Sequence, residues 1–362
     1  MIKCRKAVES LTPYLPGKPI EEVRREYGIL EVTKLASNES QWGASPLALL
    51  AAREAVLESA VYPDGNCTEL KDALSKKLGV PSEKILLGCG SDETIHLLGK
   101  TYINEGDECI TGDVTFSTYA AAVDSMGGRT VYVPLRNHTF DLDGILAAIT
   151  PRTKLIFIAN PNNPTGTAIT HKEQEEFIKK VPEDVLIFFD EAYQEFVKTP
   201  SFPNTIEFLP KYRNVILSKT FSKIYGLAAF RVGYMIADPE IIDCVNRIRP
   251  PFNVNSVAQK AAVAALSDDE FVQKVARENR GALGYLQSEL DKMGISYIPS
   301  ETNFLMIDVA KNAQEVFVEL MKEGYIVRSG APFGEETYIR VTTGTLAQMS
   351  GFIEKLKKVL GK

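Results

Sequence analysis

A lysine that follows two hydroxyl residues is the most reactive candidate in the chain. Lys223 follows Thr220 and Ser222, and Arg231 lies eight residues beyond it. A lysine placed after a buried strand can form a Schiff base with an aldehyde, while hydroxyls and a guanidinium suit a phosphate. A lysine taken alone is usually a solvated charge. The neighbouring Lys219 lacks the pair of hydroxyl residues that stand three and one positions before Lys223.

A glycine-containing turn offers a second anion site. The segment GCGSDE (88–93) follows a predicted strand and opens a predicted helix. Its glycines let backbone amides approach an anion, and the helix start presents unpaired N–H groups at Ser91 and Asp92. An ordinary strand-to-helix turn is the alternative. Because Glu93 stands where a dinucleotide fingerprint needs glycine, nicotinamide binding is disfavoured.

Two more polar segments follow buried strands. The turn NPNNPTG (160–166) places Asn163 where α/β sheets bind ligands, although a plain tight turn is also consistent with it. Asp190 ends an apolar strand, where a carboxylate needs a cation such as a protonated ring nitrogen, and Tyr193 adds a hydroxyl. A helix-capping aspartate is the alternative for Asp190.

Taken together, these groups are the ones that pyridoxal 5′-phosphate requires. Its aldehyde needs a lysine, its ring nitrogen an acid, its phenolate oxygen donors such as Asn and Tyr, and its phosphate a helix start with an arginine. The four segments therefore predict this cofactor.

Alternating strands and helices must position these groups. Apolar runs predict strands at 84–87, 108–111, 130–133, 154–159, 185–189, 214–217 and 233–237, with helices between them. This order favours βαβ units and a mostly parallel sheet. After residue 249, helices at 256–266 and 268–293 lead into a smaller α+β unit. We predict an N-terminal arm (1–35) packed with the small domain or a partner subunit, a large domain (36–250) and a small domain (251–362).

Composition narrows the class of protein. The 362 residues carry a net charge of −6, which disfavours nucleic-acid binding and a basic membrane-surface protein. Five scattered cysteines and three separated histidines predict a reducing compartment and no metal site. The sequence shows no secretory signal and no membrane-spanning run, so we expect a soluble cytoplasmic protein.

Nearly the whole chain resembles the fold-type I pyridoxal-phosphate aminotransferases, and within them the histidinol-phosphate aminotransferases. The four cofactor segments are specific for the fold type, and the proline–tyrosine arm is less specific for the subfamily. The matching segments are LTPYLPGKP (11–19), LASNE (35–39), YPD (62–64), GCGSDE, NPNNPTG, DEAY (190–193), TFSK (220–223), PFNVN (251–255), ETNF (301–304) and YIRVTTGT (338–345).

The resemblance implies a role for each candidate residue. It makes Lys223 the catalytic Schiff-base lysine and Asp190 the partner of the ring nitrogen. It assigns the other cofactor contacts to Ser91, Asp92, Phe116, Asn163, Tyr193, Thr220, Ser222 and Arg231, with Tyr62 reaching the cofactor phosphate of the partner subunit in a homodimer. It assigns substrate binding to Asn38, Arg328, Arg340 and the other subunit's Tyr14. Packing alone could account for Tyr14, and an exposed cation for Arg328.

The implied reaction is transamination of L-histidinol phosphate with 2-oxoglutarate, giving imidazole-acetol phosphate and glutamate in histidine biosynthesis. Aromatic amino acid aminotransferase is the alternative, and threonine-phosphate decarboxylase a more distant one. Two residues depart from the family pattern. Phe116 stands where a stacking tyrosine is usual, and Trp42 stands where smaller residues are common, either shaping the substrate pocket or packing in the core.

Overall fold

The structure, a computed structural model, describes residues 2–9, 11, 13 and 17–362. Its strands are β1 (Thr33–Lys34), β2 (Ile85–Gly88), β3 (Glu108–Gly112), β4 (Arg129–Val133), β5 (Thr153–Ala159), β6 (Leu186–Asp190), β7 (Val215–Thr220), β8 (Gly233–Ile236), β9 (Tyr297–Ile298), β10 (Phe304–Asp308), β11 (Tyr325–Ile326), β12 (Arg328–Ser329) and β13 (Tyr338–Thr342). Its helices are α1 (Lys6–Glu9), α2 (Ile20–Tyr27), α3 (Pro46–Val56), α4 (Thr68–Leu78), α5 (Ser91–Tyr102), α6 (Thr118–Asp124), α7 (Leu142–Ala148), α8 (His171–Ile178), α9 (Pro239–Asn246), α10 (Ser256–Ser267), α11 (Asp269–Met293), α12 (Ala313–Lys322) and α13 (Leu346–Leu360).

The seven predicted strands form one sheet in the order β2-β8-β7-β6-β5-β3-β4. Neighbouring strands from β7 through β4 run parallel, whereas β8 runs antiparallel to both β7 and β2. The inner strands are buried almost throughout because helices cover both faces, which explains their continuous apolar runs. The prediction of a mostly parallel α/β sheet is confirmed.

A smaller antiparallel sheet has the order β12-β13-β10-β9. Its core includes Leu305, Ile307, Ile339 and Phe352, and the long helix α11 contributes Leu286 and Leu290. α11 begins at the capping aspartate Asp268 and ends at Gly294 in the left-handed conformation.

The chain crosses between the two cores along α11. The alanines of α10 and Val275 of α11 pack in the core of the large sheet, whereas Leu283 and Leu290 pack in the core of the small one. The division of the chain at residue 250 stays a prediction. Among the helices of the described residues, none is long and apolar enough to cross a membrane.

The end of the N-terminal arm joins the small unit through a pairing that the sequence did not indicate. β1 pairs in parallel with β11, and Val23 of α2 packs with Met321 and Ile326. The region 325–329 holds two short strands, β11 and β12. The chain changes partner at the buried Val327, where β11 leaves β1 and β12 begins to pair with β13.

Candidate active site

A cavity of about 1450 Å³ lies where the carboxyl ends of the parallel strands face the small sheet. Open α/β sheets bind ligands at this edge. Because β8 runs antiparallel, its first residues reach the same edge, which brings Arg231 into the site. The predicted residues that line the cavity are Asn38, Ser91, Asp92, Phe116, Asn163, Asp190, Tyr193, Thr220, Ser222, Lys223, Arg231, Arg328 and Arg340.

Asp190 is a buried acid at the end of β6. One carboxylate oxygen, Oδ2, accepts a hydrogen bond from the Tyr119 hydroxyl at 2.8 Å, and the other, Oδ1, accepts one from the Ala192 amide at 3.2 Å. Burial raises the pKa of Asp190 to about 6, against the effect of these donors. These contacts do not fully offset the cost of burying the charge, so a cation in the cavity would stabilise the carboxylate.

The turn that precedes α5 forms a close-packed anion site. Gly90 has a φ of +77°, and a Cβ added there would lie 2.4 Å from a terminal nitrogen of Arg231. A Cβ on Gly233 would lie 2.4 Å from the Ser91 amide nitrogen. In the described part of the chain no side chain caps this helix start, so its first N–H groups can bind an anion.

Arg231 brings a positive charge to this turn. Its guanidinium donates to the Ala228 carbonyl at 3.2 Å and to Ser222 Oγ at 3.4 Å, and it lies 3.7 Å from the Asp92 carboxylate. Thr220 Oγ1 accepts from the Ser222 amide at 3.1 Å. The helix start, Thr220, Ser222 and Arg231 therefore form one donor-rich wall, and this donor set fits a phosphate group.

Lys223 is half-buried at the centre of the site. Its Nζ donates to the Ser37 carbonyl at 3.3 Å and lies 5.6 Å from the centre of the Tyr193 ring. The Tyr193 hydroxyl accepts from Asn38 Nδ2 at 2.9 Å. Asn38 has a φ of 55° and is also hydrogen-bonded to Thr342 in β13 and to Asn303, which directly precedes β10. A primary amine and a phenol are thus held beside the buried acid.

Arg340 connects the anion-binding side of the cavity to the Asn163 turn. Its side chain is buried, and it donates to Asn163 Oδ1 and, at 2.7 Å, to the Ala36 carbonyl. This orientation commits the carbonyl oxygen of the Asn163 amide to Arg340. The Phe333 ring lies 5.9 Å from the guanidinium carbon of both Arg328 and Arg340. Two guanidinium groups therefore share one end of the cavity.

Two of the described residues singled out in the sequence, Tyr62 and Trp42, do not line the cavity. Tyr62 is 79% exposed and stacks on Phe252 with ring centres 4.8 Å apart. Tyr14 lies outside the described residues. Trp42 is half-buried and packs against both cores, which favours the core alternative over the pocket alternative.

Of two polar residues near the site, sequence reasoning missed Tyr119 and set Lys219 aside in favour of Lys223. Tyr119 is fully buried and donates a hydrogen bond to Asp190. The one signal for it in the sequence is that a buried acid needs a hydrogen-bond donor. Lys219 is buried on the other side of β7, where its Nζ lies 2.9 Å from Glu195 and donates to Gln194. Burial lowers the pKa of Lys219, but the carboxylates of Glu195 and Glu191 outweigh that effect and leave it raised. Lys219 is therefore a paired structural charge.

The residues present fit pyridoxal 5′-phosphate. Burial raises the pKa of Asp190, so a protonated ring nitrogen would stabilise its carboxylate, and the helix start beside Arg231 suits a phosphate. Lys223 lines the same cavity as these two groups.

Comparison with known proteins also points to an enzyme that uses this cofactor. A family model described as aminotransferase class I and II matches residues 31–356. A histidinol-phosphate aminotransferase from Moorella thermoacetica is 50% identical over 359 residues, which cover 99% of this chain and 93% of that protein. A protein of the same name from Caldicellulosiruptor saccharolyticus is 46% identical over 356 residues, covering 98% of this chain and 99% of that one.

Solved structures show the same architecture. A crystal structure of histidinol-phosphate aminotransferase from Sinorhizobium meliloti in complex with pyridoxal 5′-phosphate superposes with a TM-score of 0.92 at 30% identity, covering 100% of this chain and 98% of that one. A Thermus thermophilus aspartate aminotransferase double mutant superposes with a TM-score of 0.87 at 22% identity, covering 99% of this chain and 100% of that one, and supports the fold alone.

Proposed function

The chain belongs to the class I and II aminotransferase family, and from that premise we propose that it transfers the amino group of L-histidinol phosphate to 2-oxoglutarate, using pyridoxal 5′-phosphate, in histidine biosynthesis. The observation that carries this proposal is one cavity lined by Lys223, the buried Asp190 and two guanidinium groups. The substrate rests on the full-length similarity to proteins of that name. The products are imidazole-acetol phosphate and glutamate.

When bound, pyridoxal 5′-phosphate supplies an electron-withdrawing ring that stabilises negative charge on the substrate carbon bearing the amino group. Asp190 would keep the ring nitrogen protonated, which would strengthen that withdrawal. Lys223 Nζ would hold the cofactor through its aldehyde, and its amine is the group available to take the proton from that carbon as a general base. Phe116 would contact the face of the ring, and Asn163 and Tyr193 would bind its phenolate oxygen.

The two arginines select anionic substrates. Arg340 is held by Asn163 and Ala36, and the guanidinium carbons of Arg328 and Arg340 each lie 5.9 Å from the centre of the Phe333 ring. Guanidinium groups bind carboxylates and phosphates through paired hydrogen bonds, so one site can accept both a phosphate ester and a 2-oxo acid in alternation. No observation in the cavity favours an aromatic amino acid over histidinol phosphate.

The family resemblance and an apolar surface together support a homodimer in which Tyr62 completes the partner's phosphate site. α3 and the residues after it expose Leu47, Leu49, Leu50, Val56 and Leu57, and Tyr62 a few residues further on is exposed as well. Large sets of exposed apolar side chains in one region mark interaction surfaces. Leu50→Glu is expected to yield a monomer in analytical ultracentrifugation and to weaken cofactor binding, and a dimeric variant would contradict this.

All five cysteines are free thiols, which is consistent with an enzyme of the cytoplasm.

A direct assay tests the proposed reaction. Purified protein with added pyridoxal 5′-phosphate is incubated with histidinol phosphate and 2-oxoglutarate, and glutamate is measured. We expect glutamate only when both substrates are present. Lys223→Ala is the control, because it removes the reactive amine from a half-buried position and is expected to leave the thermal unfolding temperature within a few degrees. Glutamate formation at the wild-type rate by this variant would refute the assignment.

A further inference from the structure

Tyr119 is a buried phenol held against the acid of the site. Its side chain is fully buried on α6, and its hydroxyl donates to Asp190 Oδ2 at 2.8 Å. The two residues come from distant segments of the chain: Tyr119 lies on α6, which follows β3, and Asp190 is the last residue of β6. A hydrogen bond to a carboxylate in a buried site is stronger than one between neutral groups.

Two aromatic contacts fix the direction of this hydroxyl. The Tyr119 ring stacks on Phe157 with centres 4.9 Å apart and planes within 5° of parallel. The Tyr119 and Phe116 rings pack edge to face, with centres 5.6 Å apart and an interplanar angle of 85°. The same ring therefore contacts the predicted ring-stacking residue and the predicted partner of the ring nitrogen.

The groups around Asp190 shift its ionisation in opposite directions. Lys223 favours the ionised carboxylate, whereas burial and the negative charge of Asp92 disfavour it, and the ionisable Tyr193 and Glu191 are also near the pair. Burial and the Asp190 charge raise the pKa of Tyr119 well above its ordinary value, so Tyr119 remains a donor. The Ala192 amide is the other donor to Asp190 among the described residues.

We propose that Tyr119 is a positioning residue, which aims the Asp190 carboxylate at the cofactor ring nitrogen and keeps it ionised. This inference rests on the proposed function only in its use of pyridoxal 5′-phosphate. One hydrogen bond to each oxygen, Tyr119 to Oδ2 and Ala192 to Oδ1, restrains rotation of the carboxylate, and Asp190 lines the cavity.

Tyr119→Phe tests the proposal, because it removes the hydroxyl and keeps the packed ring. We expect the dissociation constant of pyridoxal 5′-phosphate, measured on cofactor-free protein by fluorescence, to rise about tenfold, the usual effect of losing one bond to a charged group. We also expect a pH titration of the bound cofactor's absorbance to shift, and kcat to fall while KM for the amino donor changes less than threefold. Tyr102→Phe, at the far end of α5, is the matched control and is expected to change none of these.

A double-mutant cycle separates positioning from general packing. If Tyr119 acts through Asp190, then adding Tyr119→Phe to Asp190→Asn weakens cofactor binding no further. Additive losses, or a Tyr119→Phe variant with wild-type affinity and pH titration, would overturn the proposal. These readouts require cofactor binding but not histidinol phosphate, so they remain decisive even if the wild-type enzyme prefers another amino donor.

Discussion

Replacing Arg340 with lysine tests whether the guanidinium geometry, and not its charge alone, selects the substrate. The buried Arg340 side chain donates to two acceptors, Asn163 Oδ1 and the Ala36 carbonyl, from separate terminal nitrogens. A lysine keeps the positive charge but has a single nitrogen, so it cannot span both acceptors and still present a fork to an incoming anion. Arg340→Lys therefore removes at least one charge-assisted hydrogen bond in the loaded site.

The magnitude follows from the strength of such a bond. Hydrogen bonds to charged groups contribute about 1.5–3 kcal/mol, which corresponds to a roughly 10- to 150-fold weaker affinity. We expect KM for 2-oxoglutarate and for histidinol phosphate to rise within this range, because both anions use this end of the cavity. We also expect a slight change in the absorbance of the bound cofactor, because Asn163 loses the arginine that orients its amide.

Steady-state kinetics with each substrate varied in turn measures the effect. Arg213→Lys is the matched control, because Arg213 is a surface arginine paired with Asp238 and Glu240, and it should leave both KM values unchanged. If Arg340→Lys raises neither KM by more than threefold, then Arg340 does not read the substrate anion and the reasoning is refuted.

Three further predictions concern the scaffold. Lys219→Met is expected to lower the free energy of unfolding by about 3–5 kcal/mol, because the largely buried Glu195 loses its cation, and adding Glu195→Gln should recover part of this loss in urea titrations. Gly281→Ala is expected to raise stability by about 0.5–1 kcal/mol, since nothing in the described part of the chain lies within 4 Å of an added Cβ inside α11. Burial raises the pKa of Glu191 from 4.5 to about 7, so the folded cofactor-free protein binds more protons than the unfolded chain, and its stability should fall as pH rises from about 4.5 to 7. Glu191→Gln should flatten that slope.

Each of these has a result that would contradict it. Lys219→Met would have to unfold at the wild-type urea concentration, or Gly281→Ala at a lower temperature than the wild type. Gly99→Ala is a useful contrast, because its Cβ would lie 2.6 Å from the Ala122 carbonyl oxygen and should destabilise the protein. For the last prediction, a slope in Glu191→Gln as steep as in the wild type would assign the pH dependence to other groups.

Much of the fold could be predicted because the local pattern and the architecture agree. Continuous apolar runs such as 154–159 are what a strand covered on both faces requires, and β5 occupies that region in the structure. The cofactor segments were predictable for a related reason. Each directly follows a strand, and the carboxyl ends of parallel strands meet at one edge, so the sheet brings Asn163 and Asp190 together.

Contacts between distant segments could not be predicted in this way. The parallel pair β1–β11 joins residues almost 300 positions apart, and two strands of two residues each have no periodicity to read. The Arg340–Asn163 bond likewise connects the two units of the fold. Tyr119 escaped notice because its residue type suits a helix packed on a sheet, and only its position opposite Asp190 gives it a role.

The central claim is that histidinol phosphate is the preferred amino donor, and single-turnover kinetics tests it most directly. Enzyme loaded with pyridoxal 5′-phosphate is mixed with histidinol phosphate, phenylalanine or O-phosphothreonine, and the loss of the cofactor's aldehyde-form absorbance is followed. We expect histidinol phosphate to react at least tenfold more efficiently than the other two. Faster reaction with phenylalanine would leave the fold and the Lys223 chemistry standing, but it would contradict the assignment to histidine biosynthesis.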